Sequence, residues 1–152
     1  MNLRSAREGE SLALTKLVVE SKRYWGYDDE FMERCRSELL VDESDIAMGN
    51  VCVAVDDDDE AIGVYVVKEL SEWEVELDSL FVAPSQMRAG VGTALLVHAI
   101  NRARADAYVT VRLDSDPFAS SFYERHGALL VGTATSVSTG RELPRYVFRL
   151  EG

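Results

Sequence analysis

The sequence predicts an α/β domain built on a mixed β-sheet, and three observations carry that prediction. Runs rich in β-branched and aromatic residues alternate with amphipathic stretches of helical period. Two of those runs, 51–55 and 61–67, are separated only by Asp-Asp-Asp-Asp-Glu, the pattern of an antiparallel hairpin. Between Leu80 and Leu113, strand, glycine-containing loop, helix and strand follow one another, and such a crossover joins parallel strands.

Taken in order, residues 3–6 suit a short first strand. Leu14, Leu17, Val18 and Ser21 recur at helical spacing within 8–23, so a first helix ends near Tyr24. After Trp25-Gly26-Tyr27, the acids Asp28, Asp29 and Glu30 stand where the positive end of a helix dipole favours them; Phe31, Cys35 and Leu39 then repeat as a second helix. The hairpin follows, its acidic tip expected to be a solvated turn. In the strand 73–83, Trp73, Val75 and Leu77 share one parity while Leu80 and Val82 share the other. An inserted residue produces such a phase change, so a β-bulge is expected between Asp78 and Leu80, in the fourth strand. Pro84 ends that strand.

From Val91 onward, Leu95, Leu96, Ala99, Ile100 and Ala103 cover one side of a helix, and the strand 108–113 follows. Asp116 before Pro117 pairs an N-cap with proline at the first helical position, and a short helix runs through His126 to Gly127. Strands 128–137 and 145–150 close the order β-α-α-β-β-β-α-β-α-β-β. The expectation is one domain over residues 1–152: a mixed central sheet of about six to seven strands, flanked by four helices.

With 152 residues, 47% of them hydrophobic, the chain can bury a sizeable core. No apolar run approaches the roughly 20 residues that span a bilayer, and MNLRSAREGE lacks the apolar block of a secretory signal, so a cytoplasmic protein without membrane partners is expected. The net charge of −11 argues against nucleic-acid binding, which needs a basic stripe. That charge is uneven: residues 1–85 carry 8 basic and 21 acidic side chains, hence −13, and residues 86–152 carry 8 and 6, hence +2. The second part tolerates an anionic ligand and the first favours a cationic one. Cys35 and Cys52 are widely spaced and not grouped with His98 or His126, so neither a disulfide framework nor a metal site is suggested. The two histidines take helix-border and helix-end positions and are assigned no chemistry.

The most informative stretch runs from Leu80 through Gly90-Val91-Gly92 to Leu96, a buried strand leading through a glycine turn into a helix. Free amides over residues 89–93 (Ala89, Gly90, Val91, Gly92 and Thr93), together with the helix dipole, form a receptor for a diphosphate. Gly-Lys-Ser/Thr, the nucleotide triphosphatase loop, is absent, and so is the third glycine of a dinucleotide fold.

Here the sequence resembles the GCN5-related N-acetyltransferase (GNAT) superfamily. The resemblance rests on Leu80-Phe81-Val82-Ala83-Pro84, then Gly90-Val91-Gly92, then Leu95-Leu96, then Asp116-Pro117-Phe118-Ala119 and Phe122-Tyr123-Glu124-Arg125-His126-Gly127. It extends to an uncharacterised prokaryotic branch carrying Tyr24-Trp25-Gly26-Tyr27 early and Gly140-Arg141-Glu142-Leu143-Pro144 late. Two positions depart from the family pattern. Three residues before the first glycine, Met87 replaces the usual Gln or Arg, with Gln86 and Arg88 on either side. Asp116 replaces a frequent Asn, and a helix cap is favoured over a cofactor contact there.

The resemblance implies acetyl-CoA as donor and direct transfer to a primary amine, on a small molecule or a peptide. It implies cofactor contacts from Leu80, Phe81, Val82, Met87, Arg88, residues 89–93, Asp116, Ala119, Phe122 and Tyr123. It makes Glu76 the general base, acting directly or through water, with Asp78 two residues on as its understudy, and Tyr123 the acid that protonates the departing thiolate. The Leu80 amide, freed by the bulge, is the oxyanion donor. Trp25, Tyr27, Asp78 and Arg141 are the expected acceptor-side residues, Arg141 to meet a carboxylate. Relatives are frequently homodimers. The competing readings are an acyl-CoA-binding sensor without turnover and an acidic interaction module; retention of both Glu76 and Tyr123 favours the enzyme.

Overall fold

A computed structural model describes residues 1–150. Seven strands form one sheet in the order β1-β2-β3-β4-β5-β7-β6, where β1 is Asn2–Ser5, β2 Val51–Val55, β3 Ala61–Glu69, β4 Glu74–Val82, β5 Thr110–Asp114, β6 Leu129–Thr135 and β7 Glu142–Arg149. Helices α1 (Ser11–Arg23), α2 (Asp29–Cys35) and α3 (Glu43–Ala47) lie in the first half of the chain, with α4 (Val91–Ala105) and α5 (Ser120–Arg125) in the second. The expected mixed α/β architecture is present, with one helix more than expected.

Two apolar layers sandwich the sheet. One holds Leu14 and Val18 of α1, Met32 and Cys35 of α2 and Ile46 of α3 against Val53, Val64 and Val66. The other packs Val91, Leu95, Leu96 and Ala99 of α4 and Tyr123 of α5 against Tyr65, Leu77, Val111 and Tyr146. Strand β2 is buried throughout because both layers cover it.

The second helix is shorter than its periodicity predicts. It ends at Cys35, but a turn bond from the Leu39 amide to the Cys35 carbonyl (3.2 Å) prolongs the same spacing, so Leu39 is still buried. The acidic hairpin tip is also more than solvated: Asp59 accepts from Arg4 at 3.1 Å and Arg7 at 2.6 Å. Trp73 lies outside β4 and is exposed.

The bulge is where the phase change places it. Val66 pairs with Ser79 and Val67 with Leu77, so Asp78 is the extra residue. Val75 and Leu77 before it, and Leu80 and Val82 after it, all face the α4 layer, whereas Phe81 faces the other layer. An insertion between two runs of opposite parity keeps both on one face.

Candidate active site

Strands β4 and β5 run parallel, but they pair only over Glu74–Thr110, Val75–Val111 and Glu76–Arg112. Beyond that point β4 continues past the bulge without its neighbour. The Ala83 amide donates to the Ile62 carbonyl at 2.8 Å, and Leu80 stands opposite Tyr65. Ladder bonds alternate along an antiparallel pair, so the amides of Phe81 and Ala83 turn toward β3 while those of Leu80 and Val82 turn toward the gap beside β5. The bulged strand thus carries the donor expected at Leu80 on its unpaired edge.

The gap opens into a cavity of about 1030 Å³. At one end lies the loop before α4. Gly90 is the helix cap at φ +83°, where a side chain is strained, and it contributes no side-chain cap bond. The Ala94 amide closes the first helical bond to the Gly90 carbonyl at 3.0 Å. Among the described residues no acceptor faces the amides of Arg88, Gly90, Val91, Gly92 and Thr93. Arg88 is also left-handed, at φ +68°, and lines the cavity. One expectation is corrected: the Ala89 amide is taken by the Gln86 carbonyl at 3.3 Å. Ala89 and Val91 line a smaller depression behind the loop instead of the main cavity.

Glu76 opens into the same cavity from the sheet face opposite α4. Burial and the neighbouring Asp78 push its carboxyl above the ordinary carboxylate range, although Arg112, 4.0 Å away, pulls the other way. Asp78 shares that face, its carboxylate 3.7 Å from Lys68, the residue paired with Glu76 across β3. Tyr123, on α5, lines the cavity from the α4 side. Burial alone, with no charged partner, drives its phenol well above the usual range, so it stays protonated at neutral pH. Leu80, Phe81, Val82, Met87, Arg88, Ala119 and Phe122 also line the cavity.

Asp116 has the cap role, accepting from the Phe118 amide at 2.9 Å. It also carries a network that the sequence did not announce. Lys22 Nζ donates to it at 2.8 Å and the Tyr27 hydroxyl at 2.8 Å, while Arg141 donates to the Tyr27 oxygen at 3.0 Å and stands 3.7 Å from Asp116. Burial raises the Asp116 carboxyl, but the bonds from Lys22, Phe118 and Tyr27 outweigh it and hold the group below the ordinary range. Burial, with Asp116 as acceptor, pushes Tyr27 up to about 12.

Two acceptor-side expectations change accordingly. Tyr27 does not line the cavity; it stacks on Phe31 and braces Asp116. Arg141 does meet a carboxylate, but that of the chain's own Asp116. Trp25 lines the cavity, stacked on Phe118 with ring centroids 5.3 Å apart. Lys22 had a sequence signal: it continues the buried stripe Leu14, Leu17, Val18, Ser21 by one helical step, and a charge on such a stripe needs a buried partner.

This network predicts its own disruption. Asp116→Ala strands a buried ammonium and costs about 3 kcal/mol or more in urea unfolding, whereas Asp116→Asn, which keeps an acceptor for the Phe118 amide, costs less. A depressed carboxyl pKa contributes stability that is complete above the unfolded carboxylate range and lost as pH falls through the folded value. The acid limb of the stability profile is therefore shallower in Asp116→Asn than in the parent.

The parted sheet, the unsatisfied helix start, Glu76 and Tyr123 all open into one cavity. The chain belongs to the acetyltransferase (GNAT) domain family, whose model matches residues 13–136. Solved structures share the fold. The PaiA N-acetyltransferase of Thermoplasma acidophilum, in complex with coenzyme A, is 18% identical, with a TM-score of 0.82 over 97% of this chain and 98% of that one. A GCN5-related N-acetyltransferase of Rhodopseudomonas palustris is 20% identical, with a TM-score of 0.80 over 98% and 95%. The yncA protein of Salmonella typhimurium, solved with acetyl-CoA, is 18% identical, with a TM-score of 0.72 over 100% and 95%. No curated protein matches the sequence. Among the described residues no group of three metal-ligating side chains occurs, and no helix is long and apolar enough to cross a membrane.

Proposed function

We propose that the protein is an acetyl-CoA-dependent N-acetyltransferase acting on a primary amine that carries positive charge. The observation that supports this best is that Glu76, Tyr123, the outward edge of β4 at Leu80 and the amide-lined start of α4 share one cavity. The loop suits the donor: its free amides and Arg88 would hold the diphosphate, and Gly90 leaves room beside them. Bound there, acetyl-CoA supplies an activated acyl group.

Glu76 takes the proton of the acceptor ammonium, directly or through water, freeing its lone pair. Burial suits it to the task, since a base poised nearer neutrality accepts a proton with less penalty. The Leu80 amide donates to the carbonyl oxygen as negative charge builds there. Tyr123 returns a proton to the departing sulfur. The carbon–nitrogen bond forms, the carbon–sulfur bond breaks, and one proton is released overall.

The acceptor class follows from charge. Asp114 is committed to Arg145 and Asp116 to Lys22; Glu76 and Asp78 stand 4.0 Å and 3.7 Å from Arg112 and Lys68, and Glu38, which lines the same cavity, has no basic partner among the described residues. Primary amines with a second positive charge should be the best acceptors, and acidic amino acids the poorest. Free-thiol release from acetyl-CoA across an amine panel tests this. Saturable coenzyme A binding with no release under any amine points to the sensor; absence of binding points to the interaction module.

The pH profile carries a further expectation. Because the Glu76 carboxyl is raised and must be ionised to act, the acidic limb of kcat/KM lies above the ordinary carboxylate range. Glu76→Gln removes that limb and lowers kcat about 100-fold, the lower end for a general base, with Asp78 on the same face as partial substitute. An unchanged limb in the variant assigns the titration elsewhere.

A further inference from the structure

We infer that Arg125 is a second anion contact for the donor, recognising the phosphate on the ribose of coenzyme A apart from the diphosphate held by the loop. The inference rests on the acetyl-CoA reading above. It begins with the fate of the basic side chains. Of the 16 in the sequence, 11 stand within 4.0 Å of a carboxylate among the described residues: Arg4, Arg7, Lys16, Lys22, Arg23, Arg34, Arg36, Lys68, Arg112, Arg141 and Arg145. Four basic residues line the cavity, namely Lys22, Arg88, Arg125 and Arg141. Lys22 and Arg141 are committed to Asp116. Of these four, Arg88 and Arg125 have no carboxylate within 4.0 Å among the described residues, in a chain of net charge −11 where acids are plentiful.

The position of Arg125 is fixed by its neighbours. The ring of Phe122 lies 3.5 Å from where a Cβ on Gly92 would stand, so α5 rests against the first turn of α4. One residue after Arg125, His126 places Nε2 3.2 Å from the Thr93 hydroxyl and Nδ1 2.8 Å from the Phe122 carbonyl. The end of α5 is thereby tied to the helix start that presents the free amides, and Arg125 extends the positive region sideways from it. Arg88 sits inside the loop, two residues before Gly90, and adds to the amide cluster itself. Coenzyme A carries anionic charge in two places, the diphosphate and the ribose phosphate. The loop provides for the first, and Arg125, on a separate element, provides for the second. A guanidinium suits a phosphate dianion through paired, charge-assisted hydrogen bonds.

Calorimetric titration of coenzyme A and of 3′-dephospho-coenzyme A at one fixed low salt concentration tests the assignment without any acceptor. The parent should bind coenzyme A about tenfold more tightly than the dephospho form, in line with one charge-assisted contact at an exposed site. In Arg125→Ala that ratio should fall to about one, and in Arg125→Lys it should lie between, because charge survives without the planar fork. Arg88→Ala should weaken both ligands together and leave the ratio as in the parent, since both carry the diphosphate. Arg125 is exposed, so its loss leaves the fold intact. A parent ratio near one, or a ratio that survives Arg125→Ala, overturns the inference. If the parent binds both ligands equally and still releases thiol with an amine, Arg125 loses this role and the acetyltransfer reading stands. Failure of the parent to bind either ligand brings both down.

Discussion

Tyr123→Phe lowers kcat about 100- to 1000-fold while leaving acetyl-CoA affinity within about twofold, the pattern expected when a proton donor is lost and binding is not. The ring is buried in the α4 layer against Phe122, so phenylalanine fills the same space and the fold persists. Only the hydroxyl changes. Its environment holds it protonated through burial alone, so no neighbouring charge is left behind to complicate the variant. The measurement is steady-state turnover alongside calorimetric affinity for coenzyme A. Better leaving groups should narrow the gap between variant and parent, because a less basic thiolate departs without a proton. Equal turnover in parent and variant would return Tyr123 to a packing role.

Gly90→Asp removes coenzyme A binding by about 1000-fold or more, and costs the fold only the strain of about 1 kcal/mol that a side chain carries in the left-handed conformation. A Cβ at residue 90 meets nothing within 4 Å, and aspartate tolerates the left-handed backbone better than most side chains. What it introduces is a carboxylate among amides that have no other acceptor among the described residues. It competes for those donors and repels the diphosphate by charge. Thermal denaturation with and without acetyl-CoA reads both halves: a melting temperature a few degrees below the parent's without ligand, and no upward shift with it. A ligand-induced shift as large as the parent's would remove the loop from the binding site.

Much of this was readable in the chain because it depends on local period. The change of parity between Leu77 and Leu80 identifies an inserted residue whatever the rest of the sheet does, and Asp78 is that residue. The stripe from Val91 to Ala103 and the Gly90-Val91-Gly92 turn likewise express short-range geometry. Five-residue α3 buries only Ile46 and has too few turns to show a period. The bond from the Ala89 amide to the Gln86 carbonyl escapes the sequence, because the 3₁₀ turn at Pro84–Gln86 that brings the two together has no sequence pattern of its own. Asp116 was legible as a cap, since capping is decided within three residues, whereas its union with Lys22, Tyr27 and Arg141 is decided by tertiary packing. Arg125 carried no local signal, because what sets it apart is the carboxylate it lacks.

The bonds that join Lys22 to Asp116, Tyr27 to Asp116 and Arg141 to Tyr27 span 94, 89 and 114 positions of chain. Closing loops of that size costs entropy that only later contacts repay, so such links form after the local hairpin and helices. During synthesis, Lys22, Tyr27 and Asp116 are all available before Arg141 and strand β7 emerge to complete the network and the sheet. The wall of the cavity that these residues brace is therefore among the last parts of the molecule to take its final shape.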